Sequence, residues 1–253
     1  MRTKDNGKYN IAGNTGKKKC AAFNWLKGVT AVLCAVAMYF AVTTGIRGYD
    51  MYKDAIAQVS LEDKVSEIRS KESYTVFSDL PETYTDAVLS VEDHRFYGHI
   101  GIDPIAITMV NDVKAGRFVE GGSTITQQLA KNLYFTQEKK MERKVAEVFM
   151  AFALERDYSK NEILELYVNT IYFGNGYYCI KDASEGYFGK EPEDLTDYES
   201  TLLAGVPNAP SKYSPTVNLE LAEKRQEQVV EPLVACGLFT KERALETLAG
   251  SEM

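Results

Sequence analysis

Residues 122–157 read GSTITQQLAKNLYFTQEKKMERKVAEVFMAFALERD, and this stretch is the strongest indication of the fold class. A glycine turn ends at Gly122, and Ser123 is placed to cap a helix that starts after it. A second, longer helix is predicted over about 138–157. Apolar residues recur at helical spacing on both, namely Ile125, Leu129 and Leu133 on the first and Met141, Val145, Val148 and Phe152 on the predicted buried side of the second. Successive helices without strand alternation predict a mainly α-helical domain.

The flanking sequence continues this helical pattern. Residues 83–93 read as a helix, and Asp103-Pro104 is typical of a helix start. The next residues, 105–118, carry more apolar side chains than one buried helix face needs, which predicts contact with a membrane. Further along the chain, capping boxes are predicted at Ser159 with Glu162 and at Thr196 with Glu199. Turns or loops are predicted at 174–176 and 206–215.

Charge is distributed unevenly along the chain. The 253 residues carry 29 Lys and Arg against 36 Asp and Glu, a net charge of −7. Residues 1–49 hold eight basic residues and one acid, so they carry +7 and residues 50–253 carry −14. This acidic body excludes nucleic acid as a partner, because phosphate contacts require clustered Lys and Arg.

One segment has the length and composition of a transmembrane helix. Residues 29–46, VTAVLCAVAMYFAVTTGI, hold no charge over 18 positions, about the least that spans a bilayer core. A cleaved signal peptide is the alternative, but its apolar core of about 7–15 residues follows only a short basic stretch. Basic residues cluster before the segment, so we expect a cytoplasmic N-terminus and an extracytoplasmic body. The predicted organisation is a basic tail at 1–27, a transmembrane helix at 28–48, a stalk or linker at 49–80, and a domain at 81–253 closed by helices within 217–253.

The cysteines indicate no metal site. No C-x-x-C spacing occurs, and the acidic body holds only Cys179 and Cys236. Two unpaired, small apolar side chains are the simpler interpretation, and whether these cysteines pair stays open.

The stretch VEDHRFYGHIGIDP at 91–104 concentrates chemically active residues. Glu92 and Asp93 are adjacent carboxylates, and both histidines of the chain follow them. An apolar neighbour such as Phe96 would lift a carboxyl pKa toward the range of a general base. Solvated charges at a helix end are the alternative. No H-x-x-x-H or H-E-x-x-H spacing supports a metal site here.

Two further clusters suit an anionic or sugar ligand. The string EGGSTITQQLAKN at 120–132 places hydroxyls, amides and Lys131 beside a glycine turn. The string RKVAE puts Arg143 and Glu147 four residues apart on one helix face, with Lys144 on the flank. Taken alone, the first also fits an ordinary helix cap and the second an exposed salt bridge.

Five motifs together resemble those of the peptidoglycan glycosyltransferases of family 51. The strings are EDHRFYGHIGIDP, GGSTITQQLAKN, RKVAEVFMAFALERDYSKNEILELYVN, YFGNG with IKDASEGYFGK, and LLAGVPNAPSKYSP. They cover roughly residues 80–216 in the order and spacing of that family. It comprises the monofunctional transglycosylases and the glycosyltransferase domain of class A penicillin-binding proteins.

The resemblance implies an activity, a substrate and a place. Enzymes of this family polymerise lipid II into β-1,4-linked glycan with inversion at the anomeric carbon and release of undecaprenyl pyrophosphate. The reaction takes place at the outer face of the cell membrane, which agrees with the predicted topology. The expected partners are lipid II, the growing lipid-linked glycan chain and membrane lipid, and a partnership with other cell-wall synthases stays open.

The resemblance also assigns roles to residues. It implies that Glu92 is the base that deprotonates the acceptor hydroxyl and that Glu147 is a second catalytic carboxylate near the pyrophosphate. Lys131, Arg143 and Lys144 match positions that contact phosphate and sugar. Mg²⁺ or another divalent cation is expected near Glu147, with no organic cofactor. The remaining matched positions, expected to orient substrate or brace the cleft, are Asp93, Phe96, His99, Ser123, Thr124, Gln128 and Asn132.

The fold implied is lysozyme-like, with a large helical lobe and a smaller apolar jaw at about 104–120 that faces the membrane. The sequence departs from the family where Tyr177, Tyr178 and Cys179 replace small residues and where Asn208 replaces a common glutamine. These departures would alter the fit of the acceptor or of an inhibitor.

Two other functions stay open on the sequence alone. A lysozyme-like cleft with a glutamate also suits a hydrolase that cleaves peptidoglycan, and an inactive membrane-anchored scaffold is a third reading. No S-x-x-K or K-T-G string occurs, so we expect no penicillin-binding transpeptidase domain and a monofunctional enzyme.

Overall fold

The computed structural model describes residues 15–104, 122–136 and 140–252, with side chains described from residue 27 to residue 250 within those ranges. The chain divides into two compact units, Met1–Arg47 and Gly48–Met253. The predicted jaw at about 104–120, with its membrane contact, lies almost wholly outside the described residues and stays a prediction.

The first helix, α1, runs from Thr15 to Gln58. Its part from Lys27 to Gln58 is, among the described residues, the one helix long and apolar enough to cross a membrane. Large apolar side chains such as Leu33 and Phe40 are exposed along it, as expected of a helix whose surroundings are lipid.

The second unit consists of helices, as the sequence predicts. The described residues contain no strand, and their only bridge between extended residues is Gly174 with Tyr177. The helices after α1 are α2 Leu61–Arg69, α3 Glu82–Glu92, α4 Ile125–Tyr134, α5 Met141–Asp157, α6 Lys160–Val168, α7 Ile180–Phe188, α8 Asp197–Gly205, α9 Pro210–Tyr213, α10 Leu219–Ala235 and α11 Lys241–Leu248. Short 3₁₀ turns lie at Phe77–Asp79, Phe96–Gly98, Pro192–Asp194, Val206–Asn208 and Ala249–Glu252.

The core consists of two groups of helices that pack against each other. Helices α3, α8 and α10 pack on one another, and α4 packs against α5 and α6. Apolar residues of both groups are fully buried in one cluster, among them Tyr84, Leu129, Leu203 and Val229. This packing brings the C-terminal end of α3 next to α4, although 32 residues separate Glu92 from Ile125 in the sequence.

Two predicted capping boxes are confirmed. At the start of α6 the Ser159 hydroxyl accepts from the Glu162 N–H while the Glu162 carboxylate accepts from the Ser159 N–H. Thr196 and Glu199 do the same at the start of α8. The glycine turn at 174–176 is confirmed as well, because all three of its residues have positive φ angles.

The predicted stalk at 49–80 is wrong for most of its length. Residues 61–80 belong to the folded unit, where Val65, Ile68 and Leu80 lie in the core. Ser60 caps α2 by accepting from the Asp63 N–H at 3.1 Å. The mixed polarity of residues 61–69 reflects a helix with one buried face. The loose apolar spacing in the sequence did not distinguish this helix from a linker.

The predicted buried side of α5 is also wrong. Met141 is 70% exposed and Phe152 is 38% exposed. The buried face carries small and flexible apolar side chains instead, together with Glu147, and consists of Ala146, Glu147, Met150, Ala151, Ala153 and Leu154. Small side chains on this face allow α4 and α5 to approach closely, which bulky residues would prevent.

Candidate functional site

Glu92 is the last residue of α3 and lies at the candidate site. The side chain is half-buried. Burial raises the pKa of the Glu92 carboxyl, and a hydrogen bond from Gln128, with the charges of Arg225 and Lys131, opposes that rise. The Gln128 Nε2 donates to Glu92 Oε2 at 2.7 Å, and the Tyr167 hydroxyl donates to Gln128 Oε1 at 3.3 Å. A carboxylate with a raised pKa is a stronger base, so Glu92 has the environment of a proton acceptor.

Asp93 joins the first motif to the second. Its carboxylate accepts from His99 Nε2 at 2.9 Å and from the backbone N–H of Ile125 at 3.0 Å. The His99 side chain is 7% exposed, and its ring packs 6.2 Å from the buried Phe96 ring. Behind Phe96, the Lys160 ammonium lies 4.3 Å from the ring centroid. Asp93, Phe96 and His99 therefore brace the loop after α3.

Thr124 caps α4, so the predicted cap at Ser123 is wrong by one residue. The Thr124 hydroxyl accepts from the Gln127 N–H at 3.1 Å and donates to the Gly101 carbonyl at 2.7 Å. The Ser123 hydroxyl instead accepts from Lys144 Nζ at 2.6 Å. The hydroxyls of Ser123 and Thr124 are thus used within the protein, the first to hold a cation and the second to start the helix.

Glu147 lies on the buried face of α5 with both oxygens bound. Its side chain is 2% exposed. Arg143 Nη1 donates to Glu147 Oε1, and Lys144 Nζ donates to Glu147 Oε2 at 3.0 Å. A carboxylate this deeply buried requires such partners, because an unpaired buried charge is strongly destabilising. The exposed salt bridge considered for this helix is therefore a buried network.

Lys131 feels the charges of both Glu92 and Arg143. Its pKa is lowered by burial and by the positive charge of Arg143, and the charge of Glu92 opposes that lowering. Burial and the charges of Arg143 and Lys131 lower the pKa of Lys144 to about 8. The charge of Arg143 thus acts on both Lys131 and Lys144, so these three cations lie close together. Such a cluster favours an anion, which would relieve the repulsion.

The side chains around Glu147 do not fit a resident metal ion. The described residues contain no group of three His, Cys, Asp or Glu side chains that could hold one. Glu147 is a single carboxylate, and Arg143 and Lys144 already bind its two oxygens. A divalent ion needs several oxygen ligands, so we assign it no step, and magnesium stays a prediction.

The structure adds residues that the sequence reasoning missed and leaves one predicted residue outside the cluster. Tyr167 reaches the site from the end of α6 through Gln128. Arg225 is 2% exposed on α10, and its charge acts on Glu92. Tyr167 stands in the third motif string but was given no role there, and Arg225 lies outside all five strings. Asn132 is exposed on α4.

The comparisons with known proteins agree with this geometry. A sequence model of the family described as transglycosylase matches residues 61–234. Penicillin-binding protein 1A of Aquifex aeolicus (strain VF5) is 42% identical over 180 residues, which are 70% of this chain and 25% of that protein. Penicillin-binding protein 2D of Bacillus subtilis (strain 168) is 39% identical over 240 residues, 91% of this chain and 35% of that protein. The matches thus span about a quarter to a third of these relatives.

A solved structure is also similar. The crystal structure of penicillin-binding protein 1A from Haemophilus influenzae matches 69% of this chain and 17% of that chain, with 23% sequence identity and a TM-score of 0.42.

Proposed function

This chain belongs to the transglycosylase family, and we propose that it is a peptidoglycan glycosyltransferase that polymerises lipid II into β-1,4-linked glycan. The observation that carries the proposal is a half-buried carboxylate, Glu92, beside a cluster of three cations around Glu147. A reaction that removes a proton from a hydroxyl and expels a diphosphate needs both groups.

Glu92 is the general base of this mechanism. Gln128 binds Glu92 Oε2 and holds the carboxylate, which accepts the proton of the acceptor's 4-hydroxyl. The acceptor oxygen forms a bond to the anomeric carbon of the donor as the bond from that carbon to the diphosphate breaks. Because attack and departure occur on opposite faces, the configuration inverts from α to β. Water then takes the proton from Glu92.

The cations stabilise the leaving group. Negative charge develops on the diphosphate as its bond breaks, and Lys131, Arg143 and Lys144 are placed to receive it. Glu147 acts through two of them, because its oxygens hold Arg143 and Lys144 in place. Preorganised charges of this kind cost little reorganisation at the moment of reaction.

The membrane topology suits the substrate. We propose that the segment within Lys27–Gln58 anchors the protein, with its N-terminus in the cytoplasm and its acidic body outside. A lipid-linked donor then reaches the site by diffusion within the bilayer.

The test is a lipid II polymerisation assay on detergent-purified full-length protein, comparing wild type with Glu92→Gln. We expect lysozyme-sensitive glycan from the wild type and a loss of at least about a hundredfold in the variant, as for removal of a general base. Glu193→Gln is the matched control, because Glu193 is exposed and outside the site. Circular dichroism verifies that each variant is folded.

Other outcomes would contradict the proposal. Folded wild type that makes no polymer excludes a polymerase. Soluble muropeptides released from purified sacculi would indicate a hydrolase. If neither activity is found and Glu92→Gln still complements in cells, the protein is a scaffold.

A further inference from the structure

Two exposed tyrosines lie side by side on the turn after α6. Tyr172 is 41% exposed and Tyr178 is 61% exposed. Their ring centroids are 4.7 Å apart with an angle of 36° between the ring planes. Together they present an aromatic surface to solvent.

The backbone explains why these rings meet. The Phe173 N–H donates to the Tyr177 carbonyl at 2.8 Å and Gly174 pairs with Tyr177, so residues 172 and 178 lie on the two arms of a short hairpin. Side chains alternate along extended backbone, and Phe173 is buried while its neighbour Tyr172 is not. On the other side of the turn Cys179 is buried and Tyr178 is exposed. Both tyrosines therefore face solvent, one on each arm of the hairpin, and their rings meet there.

The hairpin holds this pair firmly. Tyr177 packs its ring edge-on against the Tyr187 ring, with centroids 5.1 Å apart. It also occupies the space that a side chain at Gly186 would need. At the tip of the turn the Asn175 amide donates to the Thr216 hydroxyl. A platform fixed in this way loses little conformational entropy when a ligand binds.

The hairpin is continuous with the site. Tyr167, at the end of α6, donates to Gln128, which in turn donates to Glu92. Tyr172 follows Tyr167 by five residues, so their Cα atoms are at most about 18 Å apart. A short segment thus joins the aromatic surface to the residue that holds Gln128 against the base.

We propose that Tyr172 and Tyr178 form a stacking platform for a sugar ring of the glycan, with Tyr178 the determinant particular to this chain. The proposal rests on the proposed function and names a further subsite for its polymer. The C–H face of a pyranose is apolar and stacks on an aromatic ring, while its hydroxyls need polar partners. The Tyr172 hydroxyl oxygen accepts from the Gly176 N–H at 3.4 Å, so its own proton is available to a sugar oxygen. A surface for lipid alone would not need that donor.

The test measures binding without turnover. Each variant is made in the Glu92→Gln background and titrated with a soluble β-1,4-linked N-acetylglucosamine tetrasaccharide, followed by NMR. We expect Tyr178→Ala to weaken binding roughly three- to tenfold, the size of an aromatic contact, and Tyr178→Phe to bind as the parent does. Tyr178→Leu keeps apolar area but lacks the ring, and it should resemble Tyr178→Ala. Leu245→Ala is the matched control, because Leu245 is 70% exposed on α11.

The outcomes separate this proposal from the proposed function. Equal tetrasaccharide affinity in Tyr178→Ala, Tyr178→Leu and the parent overturns the platform, whatever the polymerisation assay gives. Unchanged sugar affinity with weaker flotation on phosphatidylglycerol vesicles overturns it too and assigns the pair to the membrane. If binding depends on Tyr178 but protein with Glu92 intact makes no polymer, the platform stands and the polymerase fails.

Discussion

The protonation state of Glu92 sets the acid side of the pH profile. Burial raises its carboxyl pKa, and the protonated form cannot accept the hydroxyl proton, so kcat/KM should fall as pH drops through that raised value. Gln128→Leu removes the hydrogen bond that stabilises the carboxylate. We expect the acid limb to move to higher pH in Gln128→Leu, and less far in Tyr167→Phe, which removes only the contact behind Gln128. An acid limb that stays in place in both variants would show that another group titrates.

The basic side of the same profile belongs to Lys144. Its pKa is lowered to about 8, and the cation is the active form, so kcat/KM should decline as pH rises through about 8. Lys144→Arg should move this limb upward, because a guanidinium keeps its charge. The limb seen in kcat should also lie higher than that in kcat/KM, since bound diphosphate favours the protonated amine. A basic limb unchanged in Lys144→Arg would contradict this assignment.

Single residues were predictable where a motif spelled them out. The strings around Glu92, Gln128 and Glu147 identified side chains that the structure does bring together. Tyr167 stands in the third motif, but nothing in the string shows that it binds Gln128, and Arg225 lies in a helix outside all five motifs. Only the packing of α6 and α10 brings these two side chains to the site.

At the scale of one helix, Thr124 ties the start of α4 to the first motif. Thr124→Ala loses both the cap and the bond to the Gly101 carbonyl, so we expect the free energy of unfolding to fall by about 2–3 kcal/mol. Thr240→Ala is the matched control, since Thr240 caps α11 on the surface and should cost about 1 kcal/mol. Chemical denaturation measures both, and Thr124→Ser should recover most of the loss. Equal losses in the two alanine variants would mean that the Gly101 contact adds nothing.

Helix α5 marks the limit of prediction for an element. Its existence follows from the sequence, but it has two apolar faces, and the bulkier one was predicted to be buried. The structure buries the alanine-rich face with Glu147, because close approach to α4 and pairing of the carboxylate outweigh the area of larger side chains. Part of the bulky face packs against the end of α1, where the Phe149 and Tyr49 rings are 5.1 Å apart. The spacing of apolar residues alone predicts neither which face is buried nor the contact with α1.

For the whole molecule, the class of fold was predictable and the domain boundary was not. Helical spacing and capping boxes fixed a mainly α-helical body. The boundary at 81 was wrong because Val65 and Ile68 find their partners in distant helices. Composition near Pro81 signals a local break in the chain and carries no information about those partners.

The cysteines provide a direct test of orientation for the whole chain. In the described structure Cys236 is exposed on the body, Cys179 is buried, and neither is in a disulfide. If the positively charged tail stays in the cytoplasm, a membrane-impermeant maleimide should label intact cells or protoplasts only at Cys236, and Cys236→Ser should abolish that labelling. Cys20, within the basic tail, should become reactive only after permeabilisation, which Cys20→Ser verifies. Labelling of Cys20 in intact cells would reverse the topology and remove the site from a lipid-linked donor on the outer face.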